Sequence, residues 1–196
     1  MKKSTIILGV IGLLLIGWFI YSGSTKVAYT LPAGERPFKG RGDASIVITE
    51  FSDFQCPACK AAQSLVRDLD SKYGANIKFE YKHFPLTSIH QYAYDAALAA
   101  ECANDQGKFW EYHDLLFGYQ PNLNDANLMK IATALELDTA QFEACLDNES
   151  RRDVVEGHLK EAQDLQLRGT PTFLYNGVVV EDRSQLENMI KKDLGL

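Results

Sequence analysis

The sequence predicts an α/β fold in which helices cover a central sheet. Three observations support this prediction: a strand–helix–strand unit at residues 46–84, a helical block at about 88–167, and a hairpin followed by a helix at residues 172–194. Two strands joined by a crossover helix are parallel, and the connection is right-handed in nearly all proteins. The helical block is therefore an insertion in the chain between the second and third core strands of the sheet.

The first core strand and the helix after it meet at two cysteines. Residues 46–51 form an apolar run typical of a buried strand, and residues 60–73 carry apolar side chains at helical spacing. Cys56 and Cys59 lie at the start of this helix. The free N–H groups and the dipole of a helix N-terminus stabilise a thiolate, so the pKa of a cysteine there falls. The pattern indicates a thiol that is reactive in disulfide exchange.

The order of the two cysteines predicts their roles. Cys56 comes first and is the expected nucleophile, whereas Cys59 lies one turn into the helix and is the expected buried, resolving cysteine. A structural disulfide and half of a zinc site are the alternatives. Zinc needs two further ligands at suitable spacing, and Cys102 and Cys145 form no second pair of this kind. We therefore predict no metal.

Glu50 is a candidate proton relay. It lies six residues before Cys56 on a strand that should be buried on both faces, where a carboxylate is costly. Burial would raise its pKa and let it pass a proton to or from Cys59. The alternative is a glutamate at the strand edge that points to solvent, since glutamate is rarely buried.

The remaining elements follow from turn signals. Residues 74–76 form a turn, residues 77–84 alternate as the second strand, and Pro85 ends it. Asn124 and Asp138 begin helices within the helical block as N-caps. Residues 172–175 and 178–180 flank Asn-Gly, a strong hairpin signal, and a helix capped by Ser184 follows.

The N-terminus predicts export. Residues 1–24 combine two lysines with a long apolar run, which is long enough to cross a bilayer and, by the positive-inside rule, keeps the N-terminus in the cytoplasm. We expect a single-pass membrane anchor. A signal peptide cleaved after Ser24, which would release the protein, is the alternative. Residues 25–43 are expected to be a linker and residues 44–196 the domain.

The composition indicates which partners are excluded and whether a second disulfide is expected. The chain of 196 residues has a net charge of −6, which argues against nucleic acid as a partner. Exported compartments are oxidising, and the number of cysteines is even, so Cys102 and Cys145 are expected to form a second, structural disulfide. Two free, buried cysteines are the alternative.

The chain resembles the thioredoxin superfamily at Cys56-Pro57-Ala58-Cys59 and at Thr170-Pro171 before the hairpin. The helical insertion makes it similar to DsbA-type thiol:disulfide oxidoreductases. The residues around the cysteine pair, together with Cys102 and residues 107–113, are similar to the exported, often membrane-anchored BdbD group. The resemblance covers about residues 41–194.

The resemblance implies further properties of the site. Thr170–Pro171 would be a cis bond that faces the cysteine pair, with the backbone of Thr170 receiving the main chain of the substrate. Glu50 matches the acidic residue that DsbA-type proteins carry below the cysteine pair. A quinone-linked membrane protein would re-oxidise the enzyme, which would need no bound cofactor. The best-known members carry histidine where this chain has Ala58, so the strength of oxidation is not carried over.

These inferences predict a membrane-tethered, monomeric enzyme that acts outside the cytoplasm and introduces disulfides into cysteine-containing exported proteins. One alternative is a reductase or isomerase that uses the same site. The other is a binding or chaperone module that keeps the fold without the chemistry. A change of Cys56 to serine distinguishes this last alternative, because a binding module would keep its activity.

Overall fold

The computed structural model describes residues 37–196. The predicted anchor or signal segment at residues 1–24 and most of the predicted linker lie outside the described residues. Within residues 37–196, none of the helices has the length and apolar character that crossing a membrane requires.

The α/β prediction is confirmed: a mixed sheet of five strands is combined with seven α-helices within the described residues. The strands are β1 (Phe38–Gly40), β2 (Ile46–Ser52), β3 (Ile77–His83), β4 (Thr172–Tyr175) and β5 (Val178–Val180). The helices are α1 (Pro57–Tyr73), α2 (Ala93–Asn104), α3 (Phe109–Tyr119), α4 (Asp125–Ala134), α5 (Thr139–Asp147), α6 (Arg152–Asp164) and α7 (Leu186–Leu194).

The sheet has the strand order β1-β3-β2-β4-β5, with β2 at its centre. β2 and β3 are parallel, as expected for strands joined by α1, and the other neighbours are antiparallel. One face of the sheet packs against α1 and α7 through residues such as Ile48, Val66 and Ile190. The other face packs against α6 through Phe51 and Ala162. Because helices cover both faces, nearly every side chain of β2 is buried.

Five helices, α2 to α6, stand between β3 and β4. The predicted caps are confirmed: the side chain of Asn124 accepts a hydrogen bond from the Asn127 N–H, and that of Asp138 accepts one from the Gln141 N–H. A disulfide between Cys102 on α2 and Cys145 on α5, with an S–S distance of 2.00 Å, joins two helices of the insertion.

The hairpin between β4 and β5 has the turn that its sequence predicts. Asn176 and Gly177 have φ angles of 48° and 80°, and two consecutive positive values are typical of a type I′ turn. The Asn176 side chain also accepts a hydrogen bond of 2.7 Å from the Val47 N–H. The tip of the hairpin is thereby fixed to β2.

Part of the predicted linker is folded, so that prediction is wrong for its C-terminal end. β1 pairs antiparallel with β3, with Phe38 opposite Glu80. The Trp110 indole donates to the Phe38 carbonyl at 3.0 Å, and Gly40 adopts a φ of 80° where a Cβ would lie 2.4 Å from the Ile77 oxygen. Three residues are too few to show the alternation of a strand in sequence. This strand forms because β3, which is distant in the chain, pairs with it.

The predicted cap of the last helix is also wrong. Asp182, and not Ser184, provides the cap: its carboxylate accepts a hydrogen bond of 2.9 Å from the Ser184 N–H. This cap begins a 3₁₀ turn at Arg183–Gln185, and α7 starts only at Leu186. Asp and Ser are both favourable caps, so sequence alone does not separate two such neighbours.

Candidate active site

Cys56 is the N-cap residue of α1, with extended backbone angles (φ −73°, ψ 121°). Pro57 occupies the first helical position, where its missing N–H is no loss and its fixed φ suits the helix. The backbone N–H groups of Ala58 and Cys59 point toward the Cys56 sulfur and lower its pKa. This local geometry stabilises the thiolate of Cys56 at the start of α1.

The two thiols differ in access. Both cysteines are in the free form, and 7% of Cys56 is exposed against 0% of Cys59. An external thiol or disulfide can therefore meet only Cys56. Cys59 lies one helical turn deeper and accepts a hydrogen bond of 3.5 Å from the Asp53 N–H.

The two thiols also differ in acidity. The Cys59 thiol donates a hydrogen bond to the Cys56 sulfur, and this bond, together with the N–H groups at the start of α1, lowers the pKa of Cys56 to about 5 against the opposing effect of burial. Burial, followed by the adjacent Cys56, raises the pKa of Cys59 far above its ordinary value. Near neutral pH the pair therefore holds one thiolate, at Cys56, and one thiol, at Cys59.

Thr170 and Pro171 lie against this pair. The Thr170–Pro171 peptide bond is cis, and the Thr170 carbonyl oxygen lies 3.5 Å from the Cys56 sulfur. A groove of about 630 Å³ begins at this loop and is bounded by the end of α6 and by β5, through residues 165–172, Val179 and Glu181. The reactive sulfur thus lies beside the Thr170 carbonyl, at the loop where the groove begins.

Glu50 is fully buried, so the alternative of a solvent-facing side chain is wrong. Its Oε1 accepts hydrogen bonds from the Ser52 hydroxyl (2.8 Å) and the Gln63 amide (3.4 Å), and Gln63 also donates to the Cys59 carbonyl at 3.3 Å. Burial outweighs these hydrogen bonds and raises the pKa of Glu50 to about 7. A carboxyl group with this pKa can both give and take a proton near neutral pH.

Two side chains without a distinctive signal in sequence, those of Asp53 and Gln55, form hydrogen bonds that hold the cysteine loop in place. The buried Asp53 carboxylate accepts hydrogen bonds from the N–H groups of Gln55 (2.7 Å) and Leu86 (2.8 Å) and contacts the His90 ring at 2.8 Å. The Gln55 side chain accepts a hydrogen bond from the Tyr92 N–H at 2.7 Å. These contacts fix the segment after β3 against the cysteine loop.

A third such side chain comes from the insertion. The Gln120 amide donates to the carbonyl oxygens of Phe54 and Cys56, and the Gln120–Pro121 bond is cis. In sequence, residues 120–122 have only the character of a surface loop. The sequence gives no local signal for this contact, because Gln120 and Cys56 are 64 positions apart in the chain.

Three histidines lie in the core, whereas His90 lies beside Asp53. His83 and His113 are buried, and the His83 ring lies 2.7 Å from the Glu101 carboxylate. Within residues 37–196, no group of three or more histidine, cysteine or acidic side chains is arranged to hold a metal ion.

Known proteins resemble this chain in both sequence and structure. A family model described as Thioredoxin matches residues 33–192. A thioredoxin-like oxidoreductase from Silicibacter pomeroyi DSS-3 superposes with a TM-score of 0.73 at 26% identity, over 83% of this chain and 94% of that one. Oxidised BdbD from Bacillus subtilis superposes with the same TM-score and the same coverage at 25% identity.

The curated relatives are longer proteins. The Na⁺/H⁺ antiporter NhaA 1 of Salinispora arenicola is 40% identical over 139 residues, which are 71% of this chain and 21% of the antiporter. The aligned part of the chain covers 21% to 28% of the length of the first such relatives. The family model, by contrast, covers most of the chain, and the predicted resemblance to the thioredoxin superfamily is confirmed: this chain belongs to the thioredoxin family, and its structure is similar to that of BdbD.

Proposed function

We propose that the protein introduces disulfide bonds into cysteine-containing exported proteins through the Cys56–Cys59 pair. One observation carries this proposal: a thiolate with a pKa of about 5 lies at a helix N-terminus, accessible at Cys56, above a fully buried thiol. A stabilised thiolate favours the reduced enzyme, which makes the oxidised enzyme a better oxidant of its substrates.

The reaction proceeds by two exchanges. A substrate thiolate attacks the Cys56 sulfur of the oxidised enzyme, the Cys56–Cys59 bond breaks, and the departing Cys59 thiolate takes up a proton. A second substrate thiolate then attacks the substrate sulfur of this mixed disulfide and displaces Cys56 as a thiolate. The substrate loses two electrons and gains a disulfide, while the enzyme gains the two electrons as a reduced pair.

Thr170 and the groove beside it are the proposed site for the substrate backbone. The Thr170 carbonyl already lies next to the Cys56 sulfur, so an extended chain that presents a cysteine to Cys56 passes along this loop. The groove continues from Pro171 to Val179. Its open shape suits an unfolded substrate better than a small molecule.

Glu50 is the proposed proton donor and acceptor for Cys59. Its pKa of about 7 matches the pH range in which general acid–base catalysis is efficient. Gln63 links it to the Cys59 backbone. In the oxidising direction Glu50 supplies the proton to the Cys59 thiolate, and in the reverse direction it takes the proton from the thiol.

We expect the reduction potential of the pair to lie between those of thioredoxin and DsbA. Their nucleophilic cysteines have pKa values of about 7 and about 3.5, which bracket the value of about 5 for Cys56, and their potentials are about −270 mV and about −120 mV. Equilibration of the full chain with glutathione buffers, followed by alkylation and mass measurement, gives the potential. A value at or below that of thioredoxin would contradict the oxidant and favour the reductase.

The proposed location is the outer side of the cytoplasmic membrane, with residues 1–24 as anchor or cleaved signal, and the proposed re-oxidant is a quinone-linked membrane protein. The apolar run after Lys2 and Lys3 supports export, and the Cys102–Cys145 bridge is of the kind that oxidising compartments favour. In intact cells treated with mild reductant, a membrane-impermeant maleimide is expected to label Cys56. Labelling that requires cell lysis would contradict this location.

A further inference from the structure

Ser52 belongs to a group of buried polar side chains near the two thiols, which also includes Glu50 and Gln63. Its hydroxyl donates to Glu50 Oε1 at 2.8 Å, and the N–H of the next residue, Asp53, donates to the Cys59 sulfur at 3.5 Å. Burial raises the pKa of the Cys59 thiol, and Ser52 partly offsets this effect. Only 1% of Ser52 is exposed, and Glu50 and Cys59 are fully buried. The hydroxyl is therefore bonded to one partner of the proposed proton exchange, lies one residue from the N–H that contacts the other, and is shielded from bulk water with both.

Tyr81 adds a second hydroxyl to this group. It pairs with Glu50 in the parallel register of β2 and β3, so both side chains point to the face of the sheet covered by α1. The Tyr81 hydroxyl is buried and makes no hydrogen bond of good geometry within the described residues, although Ser52 lies near it. Because a buried hydroxyl without a partner is costly, we expect it to donate to the Ser52 oxygen.

The other groups that face Glu50 complete its surroundings. Cys59 and Gln63 approach from α1, and Arg183 lies after β5 with a favourable charge interaction. Burial, followed by the charges of Glu50, Cys59 and Asp53, raises the pKa of the Tyr81 phenol well above its ordinary value. On β4 the paired residue is Phe173, which carries no charge.

We propose that Ser52 is a catalytic residue that carries the proton between Glu50 and Cys59, with Tyr81 as a positioning residue that orients it. This proposal rests on the proposed function. A hydroxyl has one donor and two acceptor positions, so Ser52 can accept a proton from the Glu50 carboxyl while its own proton passes to the Cys59 thiolate. In the reverse step, the Cys59 proton passes to Ser52 and the Ser52 proton to ionised Glu50. One proton moves, and no electron is transferred.

The test uses an aromatic disulfide probe, dithiobis(nitrobenzoate), on the reduced full chain. Attack by Cys56 releases a first coloured thiolate, and attack by Cys59 on the resulting mixed disulfide releases a second. In the unchanged protein we expect the rate of the second release to rise with pH around the pKa of Glu50, about 7. The first release monitors the proposed exchange at Cys56, and the second monitors the proton relay.

Ser52→Ala is expected to leave the first release unchanged and to slow the second by about 100-fold, the usual contribution of one acid–base group. Ser52→Thr, which keeps the hydroxyl, should restore most of the rate. Ser64→Ala is the matched control, because Ser64 is an exposed serine of α1 whose hydroxyl donates to the Ala61 carbonyl, and it should change neither phase.

Two further variants separate the possible failures. Glu50→Gln is expected to remove the pH dependence of the second release. If Glu50→Gln removes it while Ser52→Ala retains both rate and pH dependence, the proton reaches Cys59 without Ser52 and this inference is overturned. If Glu50→Gln also has no effect, the relay in the proposed function fails, and if the first release is absent, the exchange at Cys56 fails.

Tyr81→Phe tests the same arrangement should Ser52→Ala not fold. Loss of the donor to Ser52 weakens the hydrogen bond that stabilises ionised Glu50, so the midpoint of the second release should move to higher pH. Tyr112→Phe removes another buried hydroxyl, one that bonds to the Leu128 carbonyl within the insertion, and should leave the midpoint unchanged. An unchanged midpoint in Tyr81→Phe would overturn the role of Tyr81 and the bridge through Ser52.

Discussion

Replacing Cys56 with serine is expected to abolish thiol:disulfide exchange, and replacing Cys59 with serine is expected to trap the substrate on the enzyme. Cys56 is the accessible thiol of the pair, and its thiolate is the stabilised one. Without Cys59, a mixed disulfide at Cys56 has no internal thiol to resolve it. Oxidation of a dithiol peptide, followed by non-reducing mass analysis, measures both effects.

The outcome separates the chemical function from a binding function. A Cys56→Ser variant that still oxidised the peptide would contradict the assignment of the nucleophile. A variant that lost oxidation but kept an activity of the unchanged protein in preventing aggregation would favour the chaperone alternative for that activity. Ser64→Ala serves as a control on the same helix, since its side chain lies on the exposed surface of α1.

Removal of the Cys102–Cys145 disulfide is expected to lower the free energy of unfolding by about 4 kcal/mol. The bridge closes a loop with a sequence separation of 43, and the chain-entropy model gives about this value for a loop of that size. Urea unfolding of a Cys102→Ala/Cys145→Ala variant, compared with the unchanged protein under identical conditions, measures the difference.

A matched control for this measurement is the Cys56→Ser/Cys59→Ser variant, in which the other pair of cysteines is removed. In the oxidised enzyme that pair closes a loop of only one helical turn, so its entropic contribution to stability is smaller, and in the reduced enzyme it closes no loop. A loss below about 1 kcal/mol on removal of Cys102–Cys145 would contradict the entropic estimate and indicate that the insertion holds its shape without the bridge.

The features that could be predicted from sequence are those that neighbouring residues determine. The apolar run of β2, the helical spacing of α1 and the Asn176-Gly177 turn each contain their own signal within a few residues. The position of Cys56 at the start of α1 follows from the same local pattern, and the burial of Glu50 follows from the apolar character of β2. These predictions needed no knowledge of which segments meet in space.

The features that could not be predicted depend on segments that are distant in the chain. β1 exists as a strand because β3 lies beside it, and no pattern within residues 38–40 shows this. The pairing of Glu50 with Tyr81 depends on the register of two strands, and a shift by one residue would turn Tyr81 to the opposite face. The role of Ser52 could not be predicted for the same reason, since a serine has no distinctive signal in sequence until its neighbours are known.

The hydrogen bonds of Gln120 have a consequence for how this family member can change its sequence. A single amide NH₂ group reaches two carbonyl oxygens of the cysteine loop, those of Phe54 and Cys56. Glutamate at this position would face the same oxygens with a carboxylate that has no proton to donate. A replacement for Gln120 that preserves both contacts must therefore keep a donor within reach of the two carbonyls, although the residue belongs to a loop far away in the sequence.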